Sequence, residues 1–109
     1  MNENPANVLV IEGLVVQLPE TRVSPAGIPI SRFNIEHQSV CAEAGMSREV
    51  RFKLGIVASG KDLQSVVGML STDSPVRVQG FMARAGYRSD ENRLLLHAQS
   101  IQILNDADR

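Results

Sequence analysis

The segment Val8–Leu18 constrains the fold more than any other stretch of the chain. Val8, Val10, Leu14, Val16 and Leu18 lie in one alternating register, and Leu9, Ile11 and Val15 lie in the other. A strand that is apolar in both registers is buried on both faces, or changes sheets partway along. Gly13 is the natural place for such a bend, because glycine within a strand marks bulges and barrel corners. A helix of this length would compete, but the excess of β-branched residues and Gly13 specify a strand. The apolar excess also exceeds what one small barrel buries.

The remaining elements follow in order. Pro19–Pro29, with Pro25-Ala26-Gly27 inside it, reads as a loop. Ile30–Val40 alternates, with Phe33, Ile35 and His37 on one face and Arg32, Asn34, Glu36 and Gln38 on the other. After a break at Cys41–Gly45, Ser47–Val57 alternates most cleanly. Its apolar face is Val50, Phe52, Leu54 and Ile56, which predicts a core position for Phe52, and Glu49, Arg51 and Lys53 form its polar face. Lys61–Leu70 changes period: Leu63, Val66, Val67 and Leu70 make one stripe of a short amphipathic helix. A fourth strand spans Val76–Met82, with Gly80 as a second bend. Ala83–Asn92 is a long polar connection, and a fifth strand covers Arg93–Leu104 before a short tail.

Three strands, a short helix and two strands, the first strand bent by glycine, specify an all-β fold with one short helix. That order matches the five-stranded Greek-key barrel called the OB-fold. Ubiquitin-like and SH3-like variants are alternatives, disfavoured by the long first strand, the helix placement and the extended last hairpin. The whole chain, 1–109, is expected to be one domain with its core at about 7–105.

Composition narrows the function. Hydrophobic residues make up 43% of the chain, enough for a closed core, but aromatics only 4%. Any stacking surface must therefore manage with three Phe, one Tyr and no Trp. The net charge of -1 excludes a bulk polycation, so a polyanion partner needs local segregation of charge. The lone Cys41 excludes an internal disulfide framework and a cysteine-based zinc site. No apolar stretch approaches the ~20 residues of a membrane span. The first residues, Met1-Asn2-Glu3-Asn4-Pro5, lack the features of a signal peptide. A cytoplasmic location is expected.

Catalytic constellations are missing from the sequence. His37 and His97 fall in different strands, and the four-residue spacing of His37 and Cys41 brings them together only on a helix. Ser59-Gly60-Lys61 lacks the other residues of a phosphate loop, and no paired carboxylates or metal-ligand cluster occur. The chain is expected to be neither an enzyme nor a cofactor protein.

A binding surface is better supported. Arg51 and Lys53 share a strand face, with Arg48 just before it and with Arg32 and Gln38 on the polar side of the neighbouring strand. Arg84, Arg88 and Arg93 surround Tyr87 in the last hairpin. Arg48–Lys53 and Arg77–Arg93 hold seven of the 11 basic residues, diluted by Glu49, Asp90 and Glu91. Solvated arginines on a strand are the bland reading. In an OB-fold, however, these two regions flank the groove that takes single-stranded nucleic acid. There, cations neutralise phosphates and rings stack on bases.

Several motifs are shared with a known family. Val23-Ser24-Pro25-Ala26-Gly27-Ile28-Pro29, Phe33, Glu36-His37-Gln38-Ser39-Val40 and Glu43-Ala44-Gly45 resemble the bacterial primosomal replication protein N family, PriB. So do Val57-Ala58-Ser59-Gly60, Val78-Gln79-Gly80-Phe81 and Leu96-His97-Ala98, and the similarity spans about Leu9 to Asp106. The resemblance implies an OB-fold homodimer that binds single-stranded DNA without catalysis or cofactor. It would stabilise the restart helicase PriA on forked DNA and hand over to DnaT. By motif position the DNA contacts fall on Arg22, Gln38, Met46, Arg48, Arg51, Gly86, Arg88 and Arg93; Lys53, Arg84 and Tyr87 join them from the residue reading. Arg51 stands where well-known members carry a stacking tryptophan, Met46 replaces an aromatic and Gly86 a lysine. Either Arg51 or Tyr87 is left to supply the stacking surface. Two other readings are a general single-strand-binding protein, disfavoured because the sequence ends without a long linker and acidic tip, and a protein-interaction OB module.

Overall fold

A computed structural model of the chain describes residues 4–86 and 93–105. Five strands, β1 (Leu9–Val23), β2 (Pro29–Glu43), β3 (Met46–Ser59), β4 (Pro75–Arg84) and β5 (Leu94–Ile103), close into a barrel in the order β1-β2-β3-β5-β4. All neighbours are antiparallel except β3 and β5, which run parallel through Ile56–Leu96 and Val57–His97. This is the OB-fold arrangement. Among the described residues no helix is long and apolar enough to cross a membrane.

The doubly apolar first strand does serve two sides of the barrel. Leu9–Leu14 pairs with β4, and Leu14–Val23 pairs with β2. The exchange happens at Gly13, where a Cβ would lie 2.5 Å from the carbonyl oxygen of Glu36. Only glycine lets the two backbones approach so closely. β1 does not stop at Pro19, where a loop was expected, but continues to Val23. Register shifts between Val15 and Gln17 and between Gln17 and Glu20 leave Pro19 at an irregularity, where its missing N–H breaks no regular ladder.

Inside the barrel Val15, Phe33, Ile35, Ile56, Leu70, Val76, Val78 and Leu96 form the core. The helical segment is a turn of 3-10 helix (Lys61–Leu63) leading into α1 (Gln64–Val67). It is shorter than the expected Lys61–Leu70 because Gly68 caps it, and the next two N–H groups bond three residues back. Val67 and Leu70 still enter the core as the stripe requires. Gln64 reaches under the barrel and donates to Ser31 Oγ (3.1 Å), which also contacts Thr21 Oγ1 (2.7 Å). Ser31 is thus fully buried and fully satisfied, and its contacts tie the end of β1 to β2.

β2 and β3 extend beyond the barrel as a hairpin arm. The polar stretch 41–43, expected to break the strand, stays in the ladder. The turn falls on Ala44 (φ 53) and Gly45 (φ 77), the positive-φ pair of a tight hairpin. On this arm Phe52 departs from expectation. It is 40% exposed, and its ring lies 5.0 Å from that of its cross-strand partner His37. Alternation assigned the correct face, but the barrel ends before Phe52, so that face has no core to meet. His37 fixes the rim: Nδ1 is 2.6 Å from the Glu12 carbonyl oxygen, which can only accept, and Nε2 is 2.8 Å from Ser39 Oγ.

Candidate nucleic-acid interface

Side chains alternate along each strand, so the register decides which charges share a surface. Phe33 and Ile35 point into the barrel opposite Ile56 and Leu54. The opposite parity faces out: Arg32, Asn34, Glu36 and Gln38 on β2, across from Val57, Gly55, Lys53 and Arg51 on β3. On the other side of β2, Arg22 pairs with Ile30 and Glu20 with Arg32. The outer face of β1-β2-β3 therefore collects Arg22, Gln38, Arg51 and Lys53 from the expected contact set, and adds Arg32.

β5 brings a further cation. Its parallel register with β3, continued by one residue, sets Leu95 beside Gly55. A Cβ on Gly55 would lie 2.6 Å from Leu95 Cδ2, so the two do meet on the outer face. Although the β3–β5 ladder itself is formed at Ile56–Leu96 and Val57–His97, the same register continued further runs toward Lys53 and Arg93. The hairpin is still paired there, since Ala85 N–H donates to the Arg93 carbonyl (3.0 Å).

Two expected residues lie elsewhere. Arg48 has the parity of Val50 and Phe52, not of Arg51, and it bonds Glu43 at 3.1 Å near the tip of the arm. Arg84 pairs with Leu94, on the face of Met82 and Leu96 and not that of Arg93. Tyr87 and Arg88 lie outside the described residues, so their place in the site rests on sequence. Gly86 lies two residues past the end of β4, and Met46, the first residue of β3, is exposed.

The face is mixed in charge. Glu36 sits directly opposite Lys53, and its Oε2 accepts from Arg51 Nε at 3.0 Å. Glu20 and Glu49 share the same face. Arg22, Arg32, Lys53 and Arg93 hold no carboxylate among the described residues. A hollow of about 380 Å³ beside Arg51 is lined by Gln38, Ser39, Val40, Glu49 and Val50. A larger groove of about 560 Å³ opens at Arg22 and Arg32. The surface can therefore neutralise phosphates along a path, while the exposed apolar Val40 and the Arg51 plane offer contact to bases.

The sequence separated Arg51 and Lys53 from the core correctly, and it undervalued Arg32. The even spacing from Arg32 to Gln38 was the available signal, since residues an even number apart share a strand face. The screening of Arg51 by Glu36 depends on cross-strand register, which no local pattern encodes.

Comparison with known proteins agrees with this fold. Residues 7–100 match the family model described as "Another single-strand binding protein family". The replication restart protein PriB of Serratia proteamaculans is 35% identical over 103 residues, covering 94% of this chain and 98% of its own length. That of Photorhabdus laumondii is 38% identical over 102 residues, covering 94% and 97%. Among solved structures, PriB of Ralstonia solanacearum superposes with a TM-score of 0.79 at 23% identity, covering 93% of this chain and all of that one. A Plasmodium falciparum SSB solved with single-stranded DNA gives 0.76 at 15% identity, covering 96% of this chain and all of that one. These last two likenesses establish the barrel; the sequence relatives establish the kinship. The chain belongs to the single-strand binding protein family and, within it, to the PriB replication restart proteins.

Proposed function

We propose that this protein binds single-stranded DNA along the outer face of β1-β2-β3, as a non-catalytic accessory factor of replication restart. The observation that carries the reading is that Arg22, Arg51 and Lys53 share one face; Arg93, just before β5, is assigned to the same contact set. Gln38 adds a neutral donor opposite Arg51. Tyr87 and Arg88, between β4 and β5 in sequence, complete the contact set. Arg48 and Arg84 face away and stand outside it. The kinship with restart proteins supports a role at forked DNA, holding the PriA helicase there and passing the complex to DnaT. The acting species in this proposal is a C₂ homodimer.

Titration with a labelled oligonucleotide at several salt concentrations tests the binding. Phosphate contacts release counterions, so the logarithm of affinity should fall linearly with the logarithm of salt, by ~0.7 per phosphate neutralised. In a duplex the bases stack on one another and are closed to the protein, so duplex of equal length should bind more weakly. A flat salt response, or equal affinity for duplex, rejects the proposed face.

A further inference from the structure

A groove lies at the end of the β1-β2-β3 face remote from the hairpin arm. It has a volume of about 560 Å³ and is lined by Glu20, Arg22, Val23, Ser24, Ile30 and Arg32. Arg22 faces Ile30 and Arg32 faces Glu20, so the two arginines are diagonal neighbours across the ladder. Such neighbours stand about 7–8 Å apart, within reach of long side chains. Arg48, Arg51 and Arg77 each hold a carboxylate, whereas Arg22 and Arg32 hold none among the described residues, although Glu20 is the direct partner of Arg32. Two exposed guanidinium groups flanking one groove repel each other until an anion lies between them. Their planar donor forks suit a phosphate.

The backbone beneath them is held in place. Thr21 and Ser31, the residues next to Arg22 and Arg32 in sequence, meet on the opposite face through their hydroxyls, and Gln64 seals that contact from α1. The groove is therefore anchored on paired strands. Arg32 is six residues along β2 from Gln38, the partner of Arg51, which is ~20 Å at ~3.3 Å per residue. About six phosphates at the ~3.4 Å spacing of a stacked strand cover that distance.

We propose that Arg32, with Arg22, forms a phosphate subsite in this groove, taking the backbone of the same DNA strand that crosses Arg51 and Lys53. The subsite rests on the DNA-binding reading above and adds to it a residue and a groove that fix where the strand leaves the barrel. The experiment is a salt-resolved titration of the full chain and of Arg32→Ala and Arg32→Lys with an oligothymidylate of about twenty nucleotides, long enough to span the face. Arg32→Ala should weaken binding several-fold at low salt and lower the salt slope by about 0.7. Arg32→Lys should keep the slope, because it keeps the charge. Melting temperatures should not move, since Arg32 is exposed. An Arg32→Ala variant with native affinity and slope overturns the subsite and leaves the wider reading intact. The same holds if Arg32→Ala binds weakly with an undiminished slope. If the unmodified chain itself fails to bind, the wider reading falls and the subsite with it.

Discussion

Glu36 governs how much of the positive charge on the outer face is available. Its side chain is 26% exposed, and it lies between Arg51, which it holds at 3.0 Å, and Lys53, its direct partner across the ladder. A phosphate approaching Arg51 meets a guanidinium already engaged and a negative charge beside it. Replacing Glu36 by Gln removes that charge and keeps the size of the side chain. Exposed ion pairs contribute ~0–1 kcal/mol, so the melting curve of Glu36→Gln should stay close to that of the native protein. Its affinity for single-stranded DNA, in contrast, should rise several-fold at low salt and converge on the native value as salt screens the face. Affinity that is unchanged or reduced in the same titration would mean that the strand does not pass over Arg51. The Arg48–Glu43 pair at the tip of the arm faces the other way, so relieving it should not have this effect.

The strands show where sequence pattern is informative and where it is silent. Phe33, Ile35 and Ile56 were readable as core because a closed barrel penalises a polar residue on its inner face. The ends were misread for the converse reason. Residues 41–43 and 46–49 belong to an arm exposed on both sides, so no alternation is imposed there, and small polar residues look like a break. Phe52 obeyed the alternation and still lies outside, because pattern gives the face and not where the barrel stops. In the candidate site, residue type and strand parity placed Arg51, Lys53 and Gln38 together. The parallel β3–β5 contact, which carries β5 toward this face, pairs residues about forty positions apart, and nothing local announces it. Gly13 is the element-level feature read most directly. A methyl group there would press on the Glu36 carbonyl at 2.5 Å, backbone against backbone. Gly13→Ala should therefore destabilise the barrel by about 1–3 kcal/mol, as strained small-to-large changes do. The midpoint of a urea denaturation curve reads this directly, and an unchanged midpoint would show that β1 does not turn the corner at Gly13.

At the scale of the whole molecule, the unexplained surface is apolar and lies away from the outer face of β1-β2-β3. Val8 and Val10 are 70% and 51% exposed at the start of β1. Val10 pairs with Gln79 and Leu9 with Gly80, so the next step of the ladder sets Val8 beside Phe81, whose ring stacks on His97 at 5.2 Å. Asn7 prolongs this ladder by bonding both the N–H and the carbonyl of Met82. The strip is bordered by Arg77, which bonds Glu12 at 2.8 Å and Gln102 at 3.1 Å. An apolar strip along one strand, flanked by satisfied charges, suits a second copy related by a two-fold axis, since an isologous contact needs only one self-complementary patch. Val10→Glu should then place two carboxylates against each other at the interface while leaving the barrel core untouched. Sedimentation should report a dimer for the native chain and a monomer for the variant at micromolar concentration, with similar thermal stability of the fold. Binding separates the two levels further. A short oligonucleotide engages one barrel and should bind both proteins alike, whereas a long one bridges two barrels and should lose affinity with the variant, because the second contact is no longer intramolecular. A variant that remains dimeric would move the interface away from this strip, and a native chain that sediments as a monomer would leave the exposed valines without a partner.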